Sequence, residues 1–294
     1  MKQSASYRVF SVCNIAFFLI LAFIMVFPLY KVFITSIISV GEYYTSPLVM
    51  WPRQPNIEAY RFIFSTAEIL NAARVTTIVT ILGTFLSMIV TLTLAYALSK
   101  SFLPGGKILH RMILLTMFLD TGLIPFFMMM RALGMNNNIM ANIVPVLVSL
   151  WNYLVVRSFF RQLPASLEEA ALIDGAGWFT VFFRIVIPLS MPVIATFTLF
   201  YAVGYWNTWW FTMLFNNDRN LQTLQLFLRR LVVTNDSIDG LRSSYAELPG
   251  ARSALYTEAI KMACCVIATF PILVVYPFLQ KHFTKGVLIG AIKG

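Results

Sequence analysis

Charge is what this 294-residue chain has least of: 12% of its residues are Asp, Glu, Lys or Arg, 59% are hydrophobic, and the mean hydropathy is +0.77. A soluble domain carries about 25% charged residues, so a water-coated globule is excluded and a polytopic membrane protein is implied. Histidine is limited to His110 and His282, which excludes a histidine metal cluster, and no metal-ligand spacing occurs. The three cysteines, Cys13, Cys264 and Cys265, lie in apolar runs. An adjacent pair cannot readily form an ordinary disulfide, so they read as small packing residues. A phosphate-cradling P-loop is also missing. Its nearest look-alike, Gly105-Gly106-Lys107, has Ser101 where the first glycine belongs and Ile108 after the lysine. Any ATP hydrolysis therefore belongs to another chain. No paired acid and base or metal ligands stand within the apolar stretches, which argues against a membrane-embedded hydrolase.

Long apolar runs are what remains. A helix needs about 20 residues to cross a bilayer core of about 30 Å, and six stretches qualify: 12–30, 75–99, 112–130, 139–156, 185–213 and 262–280. The first follows Lys2 and Arg8 but is long for a signal sequence and lacks a small-x-small cleavage site, so it reads as a retained span. Every Lys and Arg falls outside the six, and the one charge inside them is Asp120. An even number of spans puts both termini on one side. The positive-inside comparison ties in raw number, with eleven Lys and Arg on each side, and only their density favours cytoplasmic termini. Prolines recur in or near the spans, among them Pro28, Pro125, Pro145, Pro188, Pro192, Pro271 and Pro277. Such prolines suit kinked helices beside a cavity but are common in membrane proteins generally.

On the side away from the termini lie two longer segments, 31–74 and 214–261. The first, with Trp51-Pro52 and Pro55, suggests a loop over the membrane surface. In the second, Leu221, Leu224, Leu228 and Leu231 have helical spacing and predict an amphipathic interfacial helix. It reads either as a lid over the spans or as a docking surface for an external delivery protein. Asn235 to Gly240 reads as a turn.

The polar segment 157–184 between spans four and five is different in kind. Pro164 ends what precedes it, and Ser166 with Glu169 forms an S-x-x-E pattern that predicts a capping box. Leu167 to Asp174 then predicts two helical turns, stopped by Gly175 in the left-handed conformation. A second amphipathic run, Trp178 to Ile187, leads into Pro188. Glu168 and Glu169 are adjacent acids, although a capping box needs only one. Two short helices meeting at a glycine make a rigid knob that can transmit displacement; a well-capped interfacial loop is the plainer alternative.

Glu169-Ala170-Ala171, three residues, Gly175, nine residues, then Ile185-x-Ile187-Pro188 resembles the EAA loop of ABC importer permeases, with Ile187 in place of the commoner leucine. Gly122-Leu123-Ile124-Pro125, Tyr205-Trp206-Asn207 and the Tyr276-Pro277-Phe278-Leu279-Gln280-Lys281 ending are similar to the oligosaccharide branch of maltose-type permeases, an alginate permease above all. The resemblance covers essentially the whole chain. It implies an all-α type I ABC importer permease fold with six transmembrane helices, in the bacterial cytoplasmic (inner) membrane with both termini cytoplasmic. It also implies that Glu168, Glu169, Ala170, Ala171, Asp174, Gly175, Ile185 and Pro188 couple to an ATPase subunit. Further implied partners are a homologous second permease forming a heterodimer, a pair of ATPase subunits that use ATP and Mg, and an extracytoplasmic sugar-binding protein. This chain itself would bind no cofactor.

For the sugar path, Tyr205, Trp206, Asn207, Trp209 and Trp210 suit stacking on sugar rings and bonding to hydroxyls, with Asn152 and Tyr153 as further candidates. Tryptophans near helix ends also serve as interfacial anchors. Asp120 lies nine residues past Arg111, about 14 Å deep at about 1.5 Å per residue. An acid there either pairs within the helix interface or lines the path. Asp120-Thr121 also departs from the small residues expected at that point. The net charge of +10 fits contact with an anionic lipid leaflet and gives no reason to invoke nucleic acid. A secondary transporter would need a relay or selectivity ring, for which Asp120 alone is thin material. A permease for a non-sugar solute is the other alternative.

Overall fold

Apolar length decides most of the helices. The computed structural model describes residues 5–45, 49–65, 67–119, 121–233 and 257–291, and all regular structure among them is helical. The chain divides into two compact units, Met1–Ala67 with Leu228–Phe270, and Glu68–Phe227 with Pro271–Gly294.

In the first unit, α1 (Ala5–Ser36) is a 32-residue helix containing Pro28. Most of its apolar side chains are exposed within the chain, as lipid-facing or partner-facing groups are. Where a surface loop is expected, the chain instead forms the last turns of α1, then α2 (Val40–Thr45) and α3 (Glu58–Ser65). Side-chain bonds hold this region. The Ser36 and Tyr60 hydroxyls meet at 2.7 Å, the Glu42 carboxylate accepts the Arg53 amide at 3.1 Å, and Tyr30 donates to the Met50 carbonyl. The unit also contains the first part of the final helix, α14 (Thr257–Ala291).

The second unit is built on α4 (Ala67–Ser99), which begins eight residues before the expected span. Gly83, Ser87, Thr91 and Ala95 recur every fourth residue and therefore share one face of α4. In lipid, small residues of this kind let helices approach closely. Tyr205 lies so near Gly83 that a Cβ there would stand 2.7 Å from its ring. The Tyr205 hydroxyl meets Ser87 Oγ at 2.8 Å and donates to the Ile143 carbonyl at 3.2 Å. One turn further, Tyr201 meets Thr91 at 2.7 Å and accepts the Ser149 amide at 3.0 Å. These tyrosines come from α11 (Met191–Trp206). With Val75, Val79, Tyr153, Val156 and Phe197 they form the core of the unit.

Three of the expected spans are broken. The third (112–130) divides into α5 (Gly106–Thr116) and α6 (Leu123–Ala132), and Asp120, between them, lies outside the described residues. The fourth opens with short 3-10 turns, Ile139–Asn142 and Val144–Val146, and bends by 50° into α7 (Leu150–Gln162). The fifth (185–213) is not one helix. It enters through α9 (Trp178–Val181), a π turn (Phe182–Val186) and α10 (Ile187–Leu189), bends by 83° into α11, and continues after Trp206 as α12 (Trp210–Phe215). Pro188 supplies a reason: it has no N–H, and its ring clashes with the carbonyl four residues earlier in a regular helix. The wider π turn relieves that conflict. Among the described residues three helices are long and apolar enough to cross a membrane, or five if each bent pair is one span. The third expected span is the one not counted there, because the two halves of 112–130 are each too short.

The interfacial helix expected from Leu221 begins later, as α13 (Leu224–Val233). Its first amide donates to Thr76 Oγ1 at 2.7 Å, and Leu224, Leu226 and Phe227 are buried. Asn235 to Gly240 lie outside the described residues.

Candidate functional site

The polar segment folds as a short helix and an elbow. Leu163 and Pro164 are both extended (ψ 139° and 119°), Leu163 as a residue preceding proline is biased to be. The chain therefore turns into α8 (Ala165–Ile173) at once, with Pro164 at the N-cap and no side-chain cap. The expected capping box does not form. A cap residue must itself be extended, and Ser166 already lies inside the helix.

The two adjacent acids have opposite surroundings. Glu168 is only 8% exposed, and its carboxylate pairs with the Lys100 ammonium and accepts the Tyr96 hydroxyl at 3.4 Å. Lys100 also sits 4.5 Å from the Tyr96 ring centre. Glu169 is exposed, as are Ala170 and Asp174, and Ile173 is 85% exposed; Ala171 is half-buried. At the far end Gly175 has φ 83°, the left-handed region, which glycine adopts without the Cβ penalty. The Ala176 amide bonds the Ala171 carbonyl at 2.9 Å and the Gly175 amide bonds Leu172 at 3.1 Å, a Schellman closure of the helix end.

Beyond Gly175 the elbow is anchored by apolar contacts. Val181, Phe182 and Val186 are buried, with the Phe182 ring 4.8 Å from that of Tyr96. Ile185 is half-buried and Pro188 exposed. Tyr96 thus touches both arms of the knob. Lys100 and Tyr96 escaped the sequence reading, although a buried Glu168 demands a cation and Lys100 directly follows the long helix α4.

Of the residues considered for the sugar path, three are buried and three lie at or near the end of α11. Tyr205 is buried between α4 and α11, and Tyr153 is buried with its hydroxyl 2.9 Å from His110 Nδ1. Asn152 is buried near the start of α7, its amide 3.4 Å from Ser149 Oγ. Within this chain all three side chains are buried. Trp206 and Trp209 are half-buried, while Asn207 is exposed at the end of α11. Asn207 donates to the Val203 carbonyl at 3.0 Å and accepts Gln225 at 3.4 Å. The Trp209 and Trp210 rings meet edge-on at 5.5 Å. Among the described residues no cluster of His, Cys, Asp or Glu could hold a metal ion.

Residues 104–289, which contain the whole knob, match the family described as binding-protein-dependent transport system inner membrane component. The chain belongs to that family. This permease is 39% identical over 287 residues to the polygalacturonan/rhamnogalacturonan transport system permease protein YtcP of Bacillus subtilis (strain 168), covering 98% of this chain and 99% of that one. It is 38% identical to protein LplC of the same organism, covering 100% and 98%. A crystal structure of a bacterial ABC transporter involved in the import of the acidic polysaccharide alginate matches with TM-score 0.86 at 28% identity, covering 96% of the permease and 99% of that chain. The fold is therefore the all-helical ABC importer permease fold. The permease is a multi-pass bacterial inner-membrane subunit without cofactor, and its family implies an ATPase on a separate subunit and a binding-protein partner.

Proposed function

We propose that α8 and the elbow form a coupling foot seated in a cleft of an ATPase subunit, and that the cargo is an oligosaccharide of acidic sugars. The observation that carries the foot is the contrast along α8. One carboxylate is drawn inward to Lys100 and fixes the helix, while Glu169, Ala170, Ile173 and Asp174 face outward with a large apolar side chain in water. Gly175, Ile185 and Pro188 fix the angle at which the foot leaves the body. Closure of an ATPase pair would displace the foot, and the Lys100–Glu168 pair and Tyr96 would pass that displacement to α4.

The assembly has a homologous second permease, two ATPases and an extracytoplasmic sugar-binding protein, with both termini of this chain cytoplasmic. The names of YtcP and of the alginate transporter support an acidic carbohydrate. Trp206, Asn207 and Trp209 provide aromatic faces and an amide for it. Asp120, outside the described residues, is a further candidate for contact with the sugar; a bound cation or protonation would offset its repulsion of an acidic one. In proteoliposomes holding the full complex, Glu169→Lys should leave assembly intact while abolishing the stimulation of ATP hydrolysis by loaded binding protein. Unchanged stimulation would overturn the coupling role.

A further inference from the structure

Beside the foot the second unit carries a partly open cavity of about 210 Å³ with a concentration of positive charge. Its lining includes Lys100, Lys107, His110, Arg111, Arg157 and Arg161, and no acid. Lys107 and Arg111 stand four apart on α5, Arg157 and Arg161 four apart on α7, so each helix turns one cationic face to the same space. Three of the six are held by hydrogen bonds: Arg157 Nε donates to the Leu98 carbonyl at 2.8 Å, His110 meets Tyr153, and Lys100 donates to Glu168. Lys107, Arg111, Arg157 and Arg161 form no ion pair among the described residues, and Lys100 has only Glu168. Burial, Arg157 and Arg161 hold His110 below the ordinary imidazole range, so the neutral form is favoured where positive potential is already high. Like charges gathered around one space repel one another, and an anion among them offsets that repulsion.

A second cavity, of about 380 Å³, shares Lys100 and Leu103 with the first. Its other walls include Tyr96, Phe102, Trp178, Phe179 and Phe182. The Phe102 and Trp178 rings lie 5.0 Å apart at a 36° tilt, and Phe179 is 81% exposed. A cationic chamber joined edge to edge with an aromatic one matches an amphiphile carrying a phosphate at one end and hydrocarbon at the other. Basic pockets between membrane helices recognise anionic headgroups in this way.

We infer that the joined cavities hold an anionic phospholipid, its phosphate among Lys107, Arg111, Arg157 and Arg161 and an acyl chain along Phe102, Trp178 and Phe182. Its assignment to the inner leaflet rests on the cytoplasmic placement proposed above; the class of lipid does not. The headgroup would lie beside Lys100, so its charge bears on the ion pair that holds α8.

The test is native mass spectrometry of the full importer complex, released from detergent with phosphatidylglycerol, with phosphatidylcholine of the same acyl chains, or with inorganic phosphate. Wild type should retain phosphatidylglycerol in preference to phosphatidylcholine. Replacing the exposed cations in K107Q/R111Q/R161Q should lower that retention about tenfold or more, whereas R229Q/R230Q should not. Phe102→Ser should weaken retention of the lipid and leave phosphate unaffected. If the triple variant fails to assemble, visible in the same spectra, R111Q and R161Q singly should each still lower retention. Equal retention by variant and wild type, or of both lipids, overturns the proposal, as does binding of phosphate without lipid. Retention needs neither ATP nor transport, so its failure would leave the importer reading standing, and intact coupling in Glu169→Lys would leave the lipid site standing.

Discussion

Two short helices of this permease, α8 and α13, have nine and ten residues and similar apolar content, yet they sit in the chain in opposite ways. From α13 the side chains of Leu224, Leu226 and Phe227 are buried, and its first amide is bonded to Thr76. It is held by apolar burial. From α8 the one buried residue is a charge, Glu168, while Ile173 is left in the open. Burial of a carboxylate is costly without a partner, so α8 is tied by one directional pair and keeps its apolar surface unused. An element finished within its own chain and an element awaiting another chain are distinguished by what they bury.

The largest expected effect separates the two acids. Glu169→Lys should abolish coupled sugar uptake while moving the thermal stability of the complex by no more than about 0.5 kcal/mol, as for an exposed substitution; Arg229→Glu on α13 should leave uptake nearly unchanged. Next, the apolar faces should respond in reverse order. Leu226→Ala, at 1% exposure, should cost about 2–5 kcal/mol in detergent unfolding, and Ile173→Ala less than about 0.5 kcal/mol. Equal costs would erase the contrast. Glu168→Gln strands the Lys100 charge and should cost about 2 kcal/mol, less than a fully buried pair because both side chains keep some solvent contact. Adding Lys100→Met should recover part of that loss, measured as a double-mutant cycle. The smallest effect belongs to Gly175→Ala, about 1 kcal/mol for a Cβ at positive φ, with uptake falling further than stability does.

The apolar runs and the Gly175 turn could be read from sequence because each rests on a local rule, hydropathy over a bilayer's thickness and left-handed backbone at glycine. Where the helices break could not be read so directly. Pro188 announced a disturbance near Ser190, but the π turn and the 83° bend depend on how Phe182 and Val186 are packed. Tyr205 invited a sugar-stacking role because its neighbours Trp206 and Asn207 have that chemistry. Its burial follows from Gly83, 122 positions earlier, and the spacing Gly83-Ser87-Thr91 was available as a signal of close helix approach. Ser166 and Glu169 satisfied a capping pattern, yet the extended pair Leu163-Pro164 started the helix before the pattern could act. The partner of Glu168 was similarly out of reach, since only the fold brings Lys100 across 68 residues.

The central claim is that the open face of α8 is covered by an ATPase. A single cysteine at Ile173, in a complex whose native cysteines Cys13, Cys264 and Cys265 are replaced, should crosslink to the ATPase subunit through a short bifunctional reagent, and the yield should change when ATP is bound. Crosslinks that never include the ATPase, in a complex that still imports its sugar, would contradict it.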